Sequence, residues 1–256
     1  MIDQEPNWLV VGVKYIASVS FGKDSLAMLL MLIEKNYPLD YVVFYDTGME
    51  FDSIYNIRDK VKEQLKELNI EYVELHPQEP FWISMLIREV KYRKKEGYHY
   101  GFQWCGGACR WGTSGKLQAI KKFKKSLNDD VTDYVGIAYD EPKRFEKAKQ
   151  EGKVLPLVDW EMTEKNCLEY CRNKGYFWHE GGVDLYDCLD RVSCWCCRNK
   201  NLKELKAIYM YLPKYWKWLK GLEMVIGIPM KGEGKSIAEL EERFKNESIQ
   251  ISKKEK

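Results

Sequence analysis

Several absences narrow the sequence before any motif is considered. No apolar run reaches the ~18 residues that a membrane-spanning helix requires, so no membrane partner is expected. The first six residues, Met1 to Pro6, are polar and acidic, which is not the pattern of a secretory leader. A soluble cytoplasmic protein is the expectation. Histidine is scarce, at three in 256 residues. His76, His99 and His179 stand at no spacing that suits a metal or a hydrolytic triad. Net charge is only +2, too small for bulk charge to nominate a polyanionic partner. Internal repeats and low-complexity linkers are missing as well, and the length suits one sizeable domain or one with a small appendage.

What is present begins with residues 14 to 25. Tyr15, Ile16, Ala17 and Val19 form a short apolar run that reads as a buried strand. Leu26 to Ile33 is a helix-length apolar segment without Gly or Pro. Between them lies Ser20-Phe21-Gly22-Lys23-Asp24-Ser25. A strand, a tight turn and a helix N-terminus together aim backbone N–H groups and the positive end of the helix dipole at one point, which favours an anion. Gly22 would let the backbone approach a phosphate, Lys23 adds charge, and Ser20 and Ser25 add hydroxyls. The Walker A spacing of glycines is absent. The bland counterpart is an ordinary turn capped by Asp24 or Ser25.

Further along, Tyr41 to Tyr45 and Tyr72 to Leu75 read as buried strands, and Phe51 to Leu68 as an amphipathic helix between them. This β-α-β-α-β order predicts a parallel sheet with right-handed crossovers, an α/β fold. Asp46-Thr47-Gly48 falls at a strand's carboxyl end, where open α/β sheets bind ligands. Phe81 to Lys95 reads as a helix ending in a basic run, Trp104 to Thr113 as a loop, and Lys116 to Lys125 as a basic helix. Tyr134 to Ala138 reads as a fourth strand, Val154 to Leu157 as extended, and Thr163 to Asn173 as a helix capped by Thr163. Tyr176 to Cys197 is irregular. Leu202 to Tyr211 and Tyr215 to Met224 are closing helices, and Lys245 to Lys256 reads as a frayed tail. The expected division is a nucleotide-binding α/β core over 1–160 and a helical, Cys-rich elaboration over 161–256.

Taken together, four motifs resemble the phosphoadenosine phosphosulfate (PAPS) reductase family of PP-loop proteins, within the adenine nucleotide alpha hydrolase-like superfamily. The loop Ser20 to Ser25 is similar to the family's Ser-Gly-Gly-x-Asp-Ser, with Phe21 in place of the first Gly. Phe44 to Phe51 resembles its Asp-Thr-Gly stretch, which helps seat adenosine. Gly136-Ile137-Ala138-Tyr139-Asp140-Glu141-Pro142-Lys143-Arg144 resembles Gly-Ile-Arg-x-x-Glu-Ser-x-x-Arg, with Ala138 and Pro142 as departures. Asp190-Arg191-Val192-Ser193-Cys194 resembles the Arg-x-Gly-Cys segment. The resemblance implies a twisted, mostly parallel sheet flanked by helices. It implies an ATP, PAPS or adenylylsulfate (APS) site at Ser20, Phe21, Gly22, Lys23, Asp24, Ser25, Asp46, Thr47, Gly48 and Gly136, with Lys23, Asp24, Arg144 and Arg191 acting on the phosphates or sulfate. Arg forks suit such groups, although Arg144 could equally pair with Asp140 or Glu141. Asp24 could support Mg²⁺ or simply order the loop.

Eight cysteines in a cytosolic chain favour metal or redox chemistry over a disulfide framework. Cys105-Gly-Gly-Ala-Cys109 and Cys194-Trp-Cys-Cys197 resemble, with altered spacing, the cysteine pairs that hold a [4Fe–4S] cluster in adenylylsulfate reductases. Four thiolates suit a cluster or a structural Zn²⁺. The expected ligands are Cys105, Cys109, Cys194 and Cys197, with Cys188 and Cys196 as substitutes; Cys167 and Cys171 read as core. The basic helix around Lys121 to Lys125 and the stretch Tyr211 to Lys220 could contact a nucleic acid, or could be solvated faces. The function expected is adenylation-dependent sulfur transfer to an acceptor, nucleic acid among the candidates. Sulfonucleotide reduction is the first alternative, disfavoured here because the tail Ile251 to Lys256 carries no cysteine. A nucleotide-binding redox sensor is the second.

Overall fold

The structure, a computed structural model, describes residues 12–107 and 109–254, with the backbone alone for 248–254. All but the last residue of the expected lead-in, Met1 to Gly12, lies outside the described residues. In chain order the elements are β1 (Val13–Val19), α1 (Lys23–Glu34), β2 (Tyr41–Tyr45), α2 (Asp52–Glu67), β3 (Glu71–Leu75), β4 (Glu89–Lys91), β5 (Tyr98–Tyr100), α3 (Lys116–Ser126), β6 (Asp130–Val135) and α4 (Pro142–Gln150). There follow α5 (Pro156–Asp159), α6 (Glu164–Asn173), β7 (His179–Glu180), β8 (Val183–Asp184), α7 (Leu185–Cys188), α8 (Leu202–Tyr211), α9 (Pro213–Ile226) and α10 (Ile237–Lys254). Two π-helical turns, Ile83–Ile87 and Arg110–Gly115, flank the β4–β5 hairpin. No described helix is long and apolar enough to cross a membrane.

Tertiary contacts divide the chain into two interleaved units. The first holds the described residues up to Asp46, then Ile54–His76 and Lys116–Phe177. Its centre is a four-stranded sheet in the order β3-β2-β1-β6, parallel throughout. The two central strands are mainly apolar, as strands covered on both faces require. Ile16, Ala17 and Val19 of β1 and Val42, Val43 and Phe44 of β2 are all buried. On one face Ile120 of α3 packs with Ile16 and Val43. α6 packs on α1. Residues 161–177, placed with the C-terminal elaboration on sequence grounds, thus pack within the sheet-bearing unit. Thr163 caps α6 as expected, in a reciprocal capping box with Asn166.

The second unit holds Thr47–Ser53, Pro77–Gly115 and Trp178 onward. Its helical core is built from Leu205 and Ile208 of α8, Tyr215, Trp216 and Leu219 of α9, and Leu240 and Phe244 of α10. Trp216 and Tyr209 both meet the Phe244 ring, at 6.0 and 5.8 Å between centroids.

Five expected elements are corrected. Phe81 to Lys95 is not one helix: after a single π-helical turn the chain forms the antiparallel β4–β5 hairpin, pairing Val90 with His99. Alternation decides it, since Val90 and His99 turn inward while Glu89, Lys91, Tyr98 and Tyr100 face out. Arg110–Gly115 is helical where a loop was expected. The fourth strand begins earlier and stops at Val135, and Val154 contributes only a bridge to Tyr134 before Pro156 opens α5. The tail expected to fray is helical in its backbone to Lys254, because Ile237, Leu240 and Phe244 anchor the start of α10.

Candidate functional site

The β1–α1 loop lies at the carboxyl edge of the sheet, as the strand order requires. Gly22 stands at the N-cap of α1, and no side chain caps the helix. The Ser25 hydroxyl faces the other way: it accepts from the Ser20 N–H at 3.1 Å and donates to the Gly22 carbonyl at 3.2 Å. Neither Asp24 nor Ser25 therefore acts as the ordinary cap, and the first turn of α1 keeps an end suited to an anion. Phe21 sits at φ +57, the left-handed region, which L-residues with large side chains seldom adopt. Its ring is wholly buried and meets Phe44 at 5.1 Å, so it fills core and does not obstruct the loop.

Gly136 explains how the end of β6 reaches this loop. A Cβ there would lie 2.8 Å from Ser25 Cα and 3.0 Å from its N, both backbone atoms with little room to move. Only glycine allows that approach.

Lys23 is buried, and its ammonium is held by two carboxylates. Asp24 lies at 2.9 Å, and Glu164, in the first turn of α6, at 2.6 Å. Burial works against the lysine's charge, but Asp24 and the Glu164 hydrogen bond outweigh it, and its pKa is raised. Asp24 is also raised: burial pushes it up, Lys23 pulls it down, and Glu164 and Glu141 push it up again. The pair is unequal because Lys23 has two carboxylates while Asp24 has one cation and two like charges. Glu164 did not emerge from the sequence; its only signal was an acidic residue after a cap.

Asp46 ends β2 and accepts the Tyr55 hydroxyl at 2.8 Å. Because Tyr45 pairs with Leu75, the ends of β2 and β3 are neighbours. Asp46, Glu74 and His76 thereby gather ligand atoms within 4.8 Å of one another, a grouping that spacing alone could not show. Both carboxylates already have protein donors, Glu74 from the Tyr72 hydroxyl at 2.6 Å, and a cation would have to compete with them. Thr47 and Gly48 belong to the second unit, where the Thr47 hydroxyl bonds Glu50 at 3.1 Å and lies 3.4 Å from Cys194 Sγ. Arg144 is exposed and paired with Glu141. Arg191 is exposed, and its backbone N–H bonds Glu204. The Tyr211 to Lys220 stretch is largely structural, with Tyr215 and Trp216 buried and Lys220 paired with Glu241.

The cysteine loops converge in the second unit. Asn199 grips Gly107 at both ends of its amide, each bond 3.0 Å, and so ties the 105–109 loop to the 194–199 loop. Cys105 and Cys109 hydrogen-bond to each other; that bond holds the Cys109 thiol low and pushes Cys105 up. Burial raises Cys194 and Cys196, and Cys196 also feels the charge of Cys197 and Cys109. Cys188 bonds carbonyls of its own turn instead, at Leu185 and Asp184. Beside the group lies Lys200, 2% exposed, donating to Ser193 Oγ at 3.2 Å and lying over the Phe51 ring at 5.2 Å. Lys231 donates to the carbonyls of Arg198 and Lys200, each at 2.8 Å. Burial lowers the pKa of both lysines, while nearby thiolates favour their charged forms; nothing in the sequence pattern signals the burial of Lys200. A tetrahedral Zn²⁺ with 2.3 Å bonds needs sulfurs ~3.8 Å apart. Among the described residues no three cysteine sulfurs come within 4.8 Å. A [4Fe–4S] cluster takes one thiolate on each of four irons, and the soft sulfur donors of these loops suit that chemistry as they suit zinc's.

The family model described as the phosphoadenosine phosphosulfate reductase domain matches residues 14–180. An uncharacterised protein of Methanocaldococcus jannaschii is 26% identical over 222 residues, 79% of this chain but only 40% of that protein's length. The phosphoadenosine 5'-phosphosulfate reductase of Photorhabdus laumondii is 27% identical over 72% of this chain and 74% of its own, and that of Proteus mirabilis 27% over 68% and 69%. Among solved structures, the U34-tRNA thiolase NcsA of Methanococcus maripaludis with its [4Fe–4S] cluster superposes over 92% of this chain and 72% of that one, at 14% identity and a TM-score of 0.43. The family model spans the parallel sheet from β1 to β6 together with the uncapped loop, and the chain belongs to the phosphoadenosine phosphosulfate reductase family of PP-loop proteins.

Proposed function

We propose that this protein binds ATP on the β1–α1 loop and uses it to adenylate an acceptor that then receives sulfur. The observation that carries the proposal is the uncapped start of α1 with buried Lys23 beside it, because this pair of features suits the phosphates of a nucleotide. An acceptor oxygen attacks the α-phosphorus, the bond to the bridging oxygen breaks, and pyrophosphate leaves. Sulfide from a sulfur donor then attacks the adenylated carbon, the carbon–oxygen bond breaks, and AMP leaves. Such chemistry needs positioning and neutralised charge more than covalent help. Lys23 and the first-turn N–H groups would hold the leaving pyrophosphate. Glu164 would give up Lys23 as the phosphate arrives, and Asp24 is the candidate ligand for an accompanying Mg²⁺. Arg144 and Arg191 are candidates for further phosphate or sulfate contacts, and Asp46 and Gly136 for the nucleoside side of the site. Cys105, Cys109, Cys194 and Cys197, with Cys196 beside them, would hold a [4Fe–4S] cluster, which supplies electron storage or a place for sulfur when bound.

The test is calorimetric binding of ATP, and of PAPS in parallel, to the protein and to Lys23→Ala and Asp24→Ala. Both variants should keep the fold and lose affinity; unchanged binding in both would remove the loop from the mechanism. The two similar reductases favour a second outcome, sulfonucleotide reduction. Sulfite release from PAPS without pyrophosphate release from ATP would replace the first reading with that one.

A further inference from the structure

The β4–β5 hairpin carries a charge out of proportion to the chain. Residues 88–100 contain five cations, Arg88, Lys91, Arg93, Lys94 and Lys95, against Glu89 and Glu96. That is a net +3 on thirteen residues, where the whole chain carries +2. Arg88 is engaged by Glu79 at 3.3 Å, but none of Lys91, Arg93, Lys94 and Lys95 has a carboxylate partner among the described residues. All four are exposed. Lys95 lies over the Tyr92 ring at 4.1 Å, which leaves Lys91, Arg93 and Lys94 at this tip with no carboxylate or ring partner among the described residues.

The hairpin also presents rings. Tyr98 and Tyr100 are 61% and 66% exposed, and they share one face of β5, about 6.8 Å apart along the strand. Directly across the ladder, Lys91 stands opposite Tyr98. The other face, Val90 and His99, is half-buried. This platform is tied down at its base. Gly101, at φ +67, lies so close to the Ile83–Ile87 turn that a Cβ would meet Met85 O at 1.8 Å. The N–H groups of Phe102 and Gln103 bond the carbonyls of Ser84 and Met85 at 3.0 and 3.1 Å. Behind it, Arg110 stacks over Phe102 at 4.2 Å. Exposed rings held in place at low entropic cost, with unpaired cations beside them, are what an unpaired nucleic-acid strand requires: π-faces for its bases and charge for its phosphates.

We infer that the Glu89–Tyr100 hairpin is a docking element for a single-stranded nucleic-acid segment, with Tyr98 and Tyr100 each stacking a base and Lys91, Arg93, Lys94 and Lys95 tracking the phosphates. As the seat of the acceptor, this inference rests on the proposed adenylating function; as a binding surface it stands alone. A duplex, with its bases stacked inside, would engage the cations and leave the tyrosines idle.

Fluorescence anisotropy with labelled single-stranded RNA, single-stranded DNA and an RNA duplex tests it across a salt series. Joint replacement of Lys91, Arg93, Lys94 and Lys95 by Ala should weaken every ligand and reduce the slope of log K against log salt by about 0.7 per lost single-strand contact. Tyr98→Ala with Tyr100→Ala should weaken single strands roughly five- to 150-fold per stacked base and leave the duplex unchanged. Tyr98→Phe with Tyr100→Phe should bind like the parent. Thermal melts and ATP calorimetry on each variant should match the parent, which separates loss of contact from loss of fold. Equal binding by the parent and the tyrosine double-Ala variant, or preference for the duplex, overturns the inference. A protein that binds oligonucleotide but neither ATP nor PAPS leaves the hairpin standing and removes the loop's proposed role; one that binds ATP but no oligonucleotide does the reverse.

Discussion

Phe21 offers a test in which two ordinary rules of mutagenesis predict opposite rankings. Its ring is completely buried against Phe44, and deleting such a ring costs about 3–5 kcal/mol through lost transfer energy and the cavity left behind. Phe21→Ala should therefore lose about that much. At most positions a glycine would be worse than alanine by about 0.5–1 kcal/mol, since it has more freedom to lose on folding. Here φ is +57, where a Cβ costs about 1–2 kcal/mol. Relief of that strain exceeds the glycine's entropy cost, so Phe21→Gly should be the more stable of the two by about 0.5–1 kcal/mol. Urea unfolding followed by tryptophan fluorescence, with slopes compared to confirm one transition, resolves a difference of this size. Alanine equal to or better than glycine would refute the left-handed assignment. Nucleotide affinity gives a second reading of the same variants. The ring fills core and not the phosphate cradle, so neither deletion should tighten binding by itself; a large gain would place the phenyl group in the cradle.

Other outcomes follow from neighbouring geometry. Gly136→Ala drives a Cβ into the Ser25 backbone and should cost about 1–3 kcal/mol in urea unfolding, with nucleotide affinity falling as the start of α1 is displaced. Glu164→Gln removes a competitor for Lys23; with Glu164 41% exposed, ATP should bind about two- to fivefold tighter by calorimetry. Glu241 joins α9 to α10, and hydrogen bonds from Lys220, Lys245 and Trp216 depress its pKa from 4.5 to about 2. Its contribution is thus present above pH 4.5 and disappears as pH falls through about 2, so Glu241→Gln should melt below the parent at neutral pH and converge with it in acid. Finally, ATP binding without Mg²⁺ should take up a proton, seen as binding heats that vary with the ionisation enthalpy of the buffer.

Much of the first unit was legible because its chemistry is local. The short, mainly apolar runs at Tyr15–Val19 and Tyr41–Tyr45 read as buried strands of a parallel sheet, and Thr163 reads as the cap of α6. The hairpin was hidden because Lys, Glu and Arg between residues 88 and 96 favour helix by propensity. The opposing period-two signal is only three residues long in each strand. α10 carried its own signal in Ile237, Leu240 and Phe244, which the polar tail obscured. The site residues missed were of another kind. Glu164 reaches Lys23 across 141 positions, and His76 reaches Asp46 only through the register of β2 and β3. Such meetings depend on topology, so they become visible once strand order is known.

The charges around Lys23 also constrain what can bind beside it. A buried ammonium without partners would surrender its proton; with Asp24 and Glu164 in contact it stays charged in the resting protein, ready for phosphate. Asp24 already sits above the usual carboxylate range, raised by burial and by Glu164 and Glu141. A triphosphate arriving on Lys23 adds further negative charge next to that carboxylate and draws away part of its one cation's influence. Two outcomes are electrostatically acceptable: a divalent cation comes in with the nucleotide and takes Asp24 as a ligand, or Asp24 takes up a proton. If the loop binds the proposed nucleotide, the aspartate's unequal share of its ion pair would favour the metal-bound form, and proton uptake in Mg²⁺-free buffer would be the visible consequence of withholding the metal.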